Sequence, residues 1–335
     1  METRAFCSQS NVVIVAGKGG VGKTTVAATL ALTAARCGLR TLLVDVEGTG
    51  SLPALFGRAG RLDYVATTLE PPGSDHAEIT GRAVTPDDAL VEYLDDHGLR
   101  RVSKRMATTG TLELVATAIP GIKDILVLGK IKQLEQAGAG TDLIVVDAPA
   151  AGHAVSFLAT ARGMLDAIGV GPIRSQSADV LELITDPERC QVMLVTLPEE
   201  TPVNEAVETA FLLEDRAGVK LTPVVVNGLV PTLELSADSA TAARDAGVGL
   251  SGQAAVALDA AASFRRRRQE LQAAQVSRLA AELPLPQLHL PLLWTTDPGR
   301  AELGSLADEL AGGIARLPPA AHQPVRATGV TSARP

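Results

Sequence analysis

Residues 12–25 read VVIVAGKGGVGKTT, an apolar run followed by a glycine-rich loop that carries two lysines, Lys18 and Lys23. Residues 17–24 fit the pattern G-x-x-x-x-G-K-[ST], and the stretch that follows, VAATLALTAARCG, has helical composition. A buried strand, such a loop and the start of a helix together form the context in which this pattern binds phosphate, because backbone N–H groups close around the anion. The stretch therefore predicts a P-loop nucleotide-binding domain of the α/β class.

The loop residues have chemical roles that can be read from their types. Lys23 would neutralise the β- and γ-phosphate oxygens, and the Thr24 hydroxyl would bind Mg²⁺. Asp147 ends the apolar run DLIVVD (142–147), where its carboxylate would hold a magnesium-bound water. The sequence thus predicts ATP and Mg²⁺ as cofactors, with the metal held by Thr24 and Asp147 and the nucleotide held by Gly19, Gly20, Val21, Gly22, Lys23, Thr24, Thr25 and Asn227.

The same letters also fit G-x-G-x-x-G, the pattern of a dinucleotide-binding turn. Asp45 and Glu47 lie at the end of the next strand, where such a fold places its ribose-binding acid. A dinucleotide turn does not require the Lys23-Thr24 pair, however, so the P-loop is the favoured interpretation. The chain has no N-K-x-D sequence for guanine, and the amide of Asn227 could bind an adenine edge, which favours ATP over GTP.

Two further segments are candidates for switches that follow the γ-phosphate. In VDVEGTGSL (44–52), Asp45 is the predicted residue that orients the attacking water. Two alternatives stay open: Asp45 caps the loop or assists the magnesium shell, or Glu47 orients the water instead. The small residues of APAAGH (148–153) predict a second, flexible switch loop.

Six apolar runs predict a doubly wound, mostly parallel sheet that is covered on both faces. They are NVVIVA (11–16), TLLVDV (41–46), DLIVVDA (142–148), QVMLVTL (191–197), TPVVVNG (222–228) and QLHLPLL (287–293). Roughly a hundred residues separate the second run from the third, far more than a crossover requires. We therefore predict a single domain over 1–316 with a helical subdomain inserted at one end, over 60–138 and 155–190, and a disordered tail over 317–335.

Composition limits the classes of partner. The formal net charge of −8 gives no general attraction to nucleic acid, so no nucleic-acid partner is predicted. The three cysteines have no paired spacing, and no apolar run of about eighteen residues could span a bilayer. These features predict a cytoplasmic protein without a transmembrane segment, whose contact with a membrane would be peripheral.

The lysine that precedes the usual one gives GKGGVGKTT (17–25) a specific resemblance. The stretch resembles the deviant Walker A signature of the dimeric ATPases that include the arsenical pump-driving ATPase and the ATPase that targets tail-anchored membrane proteins. VVDAPAAGHAVSFL (145–158), IPGIKD (119–124) and VTLPEETPVNEAVET (195–209) are similar to further motifs of that branch. The resemblance covers about residues 10–310 and is nearest to the unduplicated, paired members of actinobacteria, which are often described as anion-transporting.

The resemblance implies a homodimer, or a heterodimer with a sister ATPase, in which Lys18 reaches the partner's phosphates and acts in catalysis beside Asp45. It also implies that ATP hydrolysis drives a switch coupled to a hydrophobic client or a membrane partner, as in anion transport or membrane-protein targeting. The first switch of the branch reads D-P-A-H-N-L; here Asp45 matches, but the proline, histidine and asparagine are absent. The alternative is therefore a weakly catalytic or non-catalytic nucleotide-binding subunit of a heterodimeric carrier or chaperone.

Overall fold

The computed structural model describes residues 1–48, 50–96, 98, 121–138, 140–234 and 238–318, and an eight-stranded sheet runs through this part of the chain. The strand order is β3-β4-β2-β5-β1-β6-β7-β8, and every neighbouring pair is parallel except β3 and β4. The strands are β1 (Val12–Gly17), β2 (Thr41–Asp45), β3 (Thr67–Glu70), β4 (Ile79–Ala83), β5 (Leu143–Ala150), β6 (Cys190–Thr196), β7 (Val224–Leu229) and β8 (Gln287–Pro291).

Helices connect the strands and cover both faces of the sheet. They are α1 (Thr3–Cys7), α2 (Lys23–Arg36), α3 (Ser51–Leu55), α4 (Pro86–Asp96), α5 (Ile122–Ala137), α6 (Ala151–Ala167), α7 (Pro172–Thr185), α8 (Glu200–Leu212), α9 (Ser239–Asp245), α10 (Gly252–Glu282) and α11 (Arg300–Arg316), with a π-helical turn at Leu213–Ala217. Along β1, Val13 and Val15 face the layer that contains α2 and α11, whereas Val12 and Ile14 face the opposite layer. Because successive side chains of a strand point to opposite faces, an uninterrupted apolar strand can belong to two cores at once.

All six predicted strands are confirmed, and so is the doubly wound, mostly parallel sheet. The helical assignment over 60–138 is wrong for 67–70 and 79–83. There β4 pairs in parallel with β2, and β3 pairs antiparallel with β4, so this segment widens the sheet. Helices α4 and α5 form within the same range, but much of the segment between them lies outside the described residues.

Helices α6 and α7 pack directly on the sheet. Phe157 of α6 and Val180 of α7 are fully buried in the same apolar cluster as Ile14 of β1. These helices therefore form part of the covering layer. The domain range of 1–316 and an inserted helical subdomain stay predictions, and the tail predicted to be disordered lies outside the described residues from position 319 onward.

None of the helices in the described part of the chain is both long enough and apolar enough to cross a lipid bilayer.

Candidate active site

The glycine-rich loop joins the carboxyl end of β1 to the first residue of α2, Lys23. Gly22 precedes the helix with a φ of 90°, a backbone conformation that glycine adopts without steric cost. The first N–H groups of a helix have no intrahelical partner and carry partial positive charge, so they point at whatever the loop encloses. The backbone of this loop thus forms an anion site before any side chain contributes.

Neighbouring strands hold the loop closely at two glycines. A Cβ atom at Gly17 would lie 2.3 Å from the backbone oxygen of Val195, and one at Gly22 would lie 2.3 Å from the side-chain nitrogen of Asn227. Any larger residue at either position would push the loop away from β6 or β7. The glycines therefore fix the position of the loop on the sheet as well as its curvature.

Thr24 and Asp147 meet beside the loop, as the sequence predicts for a magnesium site. The Thr24 hydroxyl donates a 2.5 Å hydrogen bond to Oδ2 of Asp147, whereas Oδ1 of that carboxylate is buried without a hydrogen-bond partner among the residues that the structure describes. Hydroxyl and carboxylate oxygens are the ligands that Mg²⁺ prefers. An unpartnered buried carboxylate oxygen is costly unless a cation satisfies it. The residues present therefore fit a magnesium ion.

Asp45 lies next to Asp147, because the two residues are register partners on the parallel strands β2 and β5. Its Oδ1 accepts hydrogen bonds from the backbone N–H groups of Glu47 at 3.1 Å and Gly48 at 2.7 Å, and Gly50 contributes a third. Its Oδ2 is buried and has no hydrogen-bond partner within the described part of the chain. Asp45 thus caps the turn that follows β2 and places a second carboxylate beside Asp147, whereas the side chain of Glu47 is exposed.

Burial dominates the electrostatics of this carboxylate pair. It raises the pKa of Asp147 to about 6; the Thr24 hydrogen bond opposes the shift, while the nearby charge of Asp45 adds to it. Burial likewise raises the pKa of Asp45, against the opposing effect of its three backbone N–H donors. Two carboxylates that share a buried site cannot both ionise cheaply, so a bound cation would stabilise the ionised forms of both.

This pKa shift makes a stability prediction for the nucleotide-free protein. Folded Asp147 keeps its proton up to a pH of about 6, whereas in the unfolded chain the group ionises near its ordinary pKa of 3.8. The free energy of unfolding should therefore fall by up to about 3 kcal/mol as the pH rises from about 4 to about 6, and then stay level.

Urea unfolding over this pH range tests the prediction. Asp147→Asn should lack this fall and should be more stable than the wild type at pH 7.5. Asp166→Asn, a change of an exposed carboxylate, is the matched control; a wild type with a flat profile would contradict the shift.

Asn227 approaches the loop from β7, two strands away from β1 in the sheet. Its side-chain amide donates a 2.9 Å hydrogen bond to the backbone oxygen of Val21. This contact ties the loop to β7. The role of Asn227 at an adenine edge stays a prediction, since its amide nitrogen is occupied by the loop.

The two loop lysines have different surroundings. The ammonium group of Lys23 makes one long contact, 3.4 Å to the backbone oxygen of Lys18, and forms no ion pair with any residue in the described ranges. The ammonium group of Lys18 instead pairs with the carboxylate of Glu205 on α8, at 2.5 Å. The charge of Lys23 is thus available to a phosphate at the loop, whereas the charge of Lys18 is paired with a carboxylate on α8.

The sequence did not predict a role for Glu205, and the loop conformation predicted for residues 148–153 is wrong. Glu205 is one of several acids in 195–209, and nothing in the local pattern singles it out. Residues 148–153, expected to form a flexible loop, are instead the end of β5, which reaches Ala150, and the start of α6 at Ala151. The strand stays paired up to Ala150, which lies opposite Gly17 of β1.

The chain is similar in sequence to known ATPases. Residues 10–170 match the family model described as anion-transporting ATPase. The ATPase BagA of Mycobacterium tuberculosis is 35% identical over 239 residues, which cover 69% of this chain and 68% of that protein. The arsenical pump-driving ATPases of Escherichia coli and Acidiphilium multivorum are 25% and 26% identical, over 68% of this chain and 41% of each relative.

These similarities confirm the resemblance drawn from the deviant loop and the motifs that follow it. The matched residues 10–170 contain both the loop with its Lys23 and the Asp147 carboxylate beside it. Similarity to the mycobacterial ATPase extends over two thirds of each chain, well beyond the loop alone. The chain therefore belongs to the anion-transporting ATPase family, and it is an ATPase.

Proposed function

We propose that this protein is a magnesium-dependent ATPase that works as a dimeric switch, paired with a second copy of itself or with a sister chain. The observation that carries the proposal is the joint placement of Lys23, Thr24 and Asp147 at the phosphate loop. Lys23 would bind the terminal phosphates, and Thr24 and Asp147 would hold Mg²⁺. When bound, the metal would neutralise charge on the transferred phosphoryl group.

Pairing of two chains is supported by the position of Lys18. Its side chain turns toward α8 and is 40% exposed, so its charge lies at the surface beside its own site. A cation that a second chain inserts at the phosphates can accelerate phosphoryl transfer by about 10³–10⁵-fold in the systems where this has been measured. We infer that Lys18 supplies this cation to the partner chain.

Coupling to a membrane partner or a hydrophobic client follows from the family. The relatives from Escherichia coli and Acidiphilium multivorum are named as ATPases that drive an arsenical pump. By analogy, ATP binding and hydrolysis in this chain would change the segment after Asp45 and the start of α6 after Asp147, and a partner would sense that change.

We propose that Glu47, and not Asp45, orients the attacking water. Oδ1 of Asp45 accepts hydrogen bonds from the backbone N–H groups of Glu47 and Gly48, and the residue is only 2% exposed, so the carboxylate has little freedom to follow a water. Glu47 is exposed and close enough to contribute to the charge around Asp147. In this account Asp45 shapes the switch segment and Glu47 orients the water within it.

The test is magnesium-dependent phosphate release from ATP by the wild type and two variants. Glu47→Gln should lower turnover by about 10²–10⁴-fold and leave nucleotide affinity near that of the wild type. Asp45→Asn should also weaken nucleotide binding, because the amide disturbs the loop that the carboxylate caps. A wild type that releases no phosphate would contradict the proposed activity. A fully active Glu47→Gln variant would indicate that Asp45, and not Glu47, orients the water.

A second candidate is a subunit that binds ATP but hydrolyses it slowly by itself. The departure of residues 46–50 from the pattern of the first switch in the branch favours it. Under this candidate, the wild type alone should bind ATP with weak turnover, and addition of a sister subunit should restore turnover.

A further inference from the structure

The ion pair between Lys18 and Glu205 joins two parts of the chain that are 187 residues apart in sequence. One partner is the phosphate loop and the other is α8, which follows β6. The two side chains are 40% and 37% exposed, so the pair lies at the surface, where another molecule could compete for either charge.

Helix α8 holds Glu205 firmly in place. Val203 and Ala210 of this helix are fully buried in the apolar cluster beneath it. At the N-terminal end of α8, the capping residue Glu199 accepts from Arg268 at 2.7 Å, and the backbone oxygen of Glu200 accepts from Arg278 at 3.1 Å; both arginines belong to the long helix α10. Because α8 is buried on one face and held by α10 at its start, we expect the long side chain of Lys18 to move when the pair breaks.

We propose that Glu205 is a positioning residue that holds Lys18 within its own chain and must release it before Lys18 can reach a partner's phosphates. This inference rests on the proposed function, because it assumes that Lys18 acts across the dimer. A single carboxylate carries one negative charge, whereas the phosphates of ATP carry several. For Lys18, leaving Glu205 to contact the partner's nucleotide is therefore favourable only when that partner has bound ATP.

The hold exerted by Glu205 is weak enough to be reversible. Half-exposed ion pairs shift an equilibrium by about two- to fivefold, because water and salt screen the charges. Two such pairs must break when two chains join, so their effects multiply. Loss of Glu205 should then tighten the ATP-dependent pairing of two chains by about 4- to 25-fold.

The experiment compares Glu205→Gln with Glu208→Gln, a charge-matched control on the same helix whose side chain is exposed. Dissociation constants of the dimer are measured by analytical ultracentrifugation with a slowly hydrolysed ATP analogue and Mg²⁺. Glu205→Gln should lower the constant by the stated factor, and Glu208→Gln should leave it unchanged. Equal or weaker pairing in Glu205→Gln would overturn the proposal.

The same substitution in a Lys18→Ala chain distinguishes an effect of Glu205 on Lys18 from an effect on the fold. In Lys18→Ala, the further change Glu205→Gln should not alter the dissociation constant, because no ammonium remains to be held. The same shift in both backgrounds would show that Glu205 acts through the fold or through net charge, and would overturn the proposal.

A readout that does not depend on pairing reports the ion pair itself. The rate at which an amine-specific reagent labels Lys18 in the nucleotide-free chain, followed by peptide mass spectrometry, should rise about two- to fivefold in Glu205→Gln and stay constant in Glu208→Gln. Unchanged labelling would overturn the proposal whatever the pairing shows. A wild type that labels as expected but never pairs would contradict the proposed dimeric switch instead.

Discussion

Replacement of Lys23 by alanine should reduce ATP turnover by about 10²–10³-fold and weaken nucleotide binding together with it. Lys23 begins α2 at the point where the helix N-terminus faces the loop, and among the described residues its ammonium group has only one long contact, to the backbone oxygen of Lys18. A phosphate would therefore be its main partner. Loss of this charge removes an interaction made with both the bound nucleotide and the transition state, so binding and turnover should fall together.

The measurements for Lys23→Ala are phosphate release and the affinity for a fluorescent ATP analogue. Lys220→Ala is the matched control, since Lys220 is an exposed lysine far from the loop in the sequence. Because Lys23 carries no ion pair among the described residues, the variant should unfold at nearly the same urea concentration as the wild type. Wild-type turnover in Lys23→Ala would rule out this loop as the nucleotide site.

Replacement of Lys18 by alanine should have a different signature. Turnover should fall by about 10³-fold or more, whereas the affinity of a single chain for nucleotide should stay near that of the wild type. The reason is that Lys18 points to Glu205 in its own chain and would meet phosphates only across the dimer. The variant should therefore also lose the rise of specific activity with protein concentration that a pairing ATPase shows.

Turnover and affinity measured over a range of protein concentrations distinguish the two lysines. A Lys18→Ala variant that binds ATP as weakly as Lys23→Ala would place Lys18 in its own site. A Lys18→Ala variant with wild-type turnover would show that Lys18 has no role in catalysis.

The central sheet is predictable from the sequence because its strands are buried on both faces. Uninterrupted apolar runs such as VVIVA and LIVVDA can hardly be anything else in a chain of this composition. The other two strands escape that signal. TTLE (67–70) lies at the edge of the sheet with two exposed residues, and ITGRA (79–83) carries a glycine and an arginine, so neither has the composition of a buried strand. The pairing of β4 with β2, and of β3 with β4, is a tertiary contact that local pattern does not encode.

In the candidate site, too, some residues can be predicted from the sequence and others cannot. Lys23, Thr24 and Asp147 are found because their chemistry depends on short motifs and on the rule that parallel strands bring their carboxyl ends to one edge. Glu205 is not found, because its contact with Lys18 spans 187 residues and depends on where α8 comes to lie. The hydrogen bonds that occupy Asp45 also cannot be predicted from the sequence, since they depend on where the backbone N–H groups of Glu47 and Gly48 come to lie.

The most direct test of the dimeric switch mixes the two lysine variants, each of which should be inactive alone. In a mixed dimer, the Lys18→Ala chain keeps its own Lys23 and receives Lys18 from the Lys23→Ala chain, so one of its two sites is complete. With equal amounts and random pairing, the mixture should recover up to about a quarter of wild-type turnover, because half of the dimers are mixed. A mixture no more active than its components, under conditions in which the wild type is active, would contradict catalysis across the dimer.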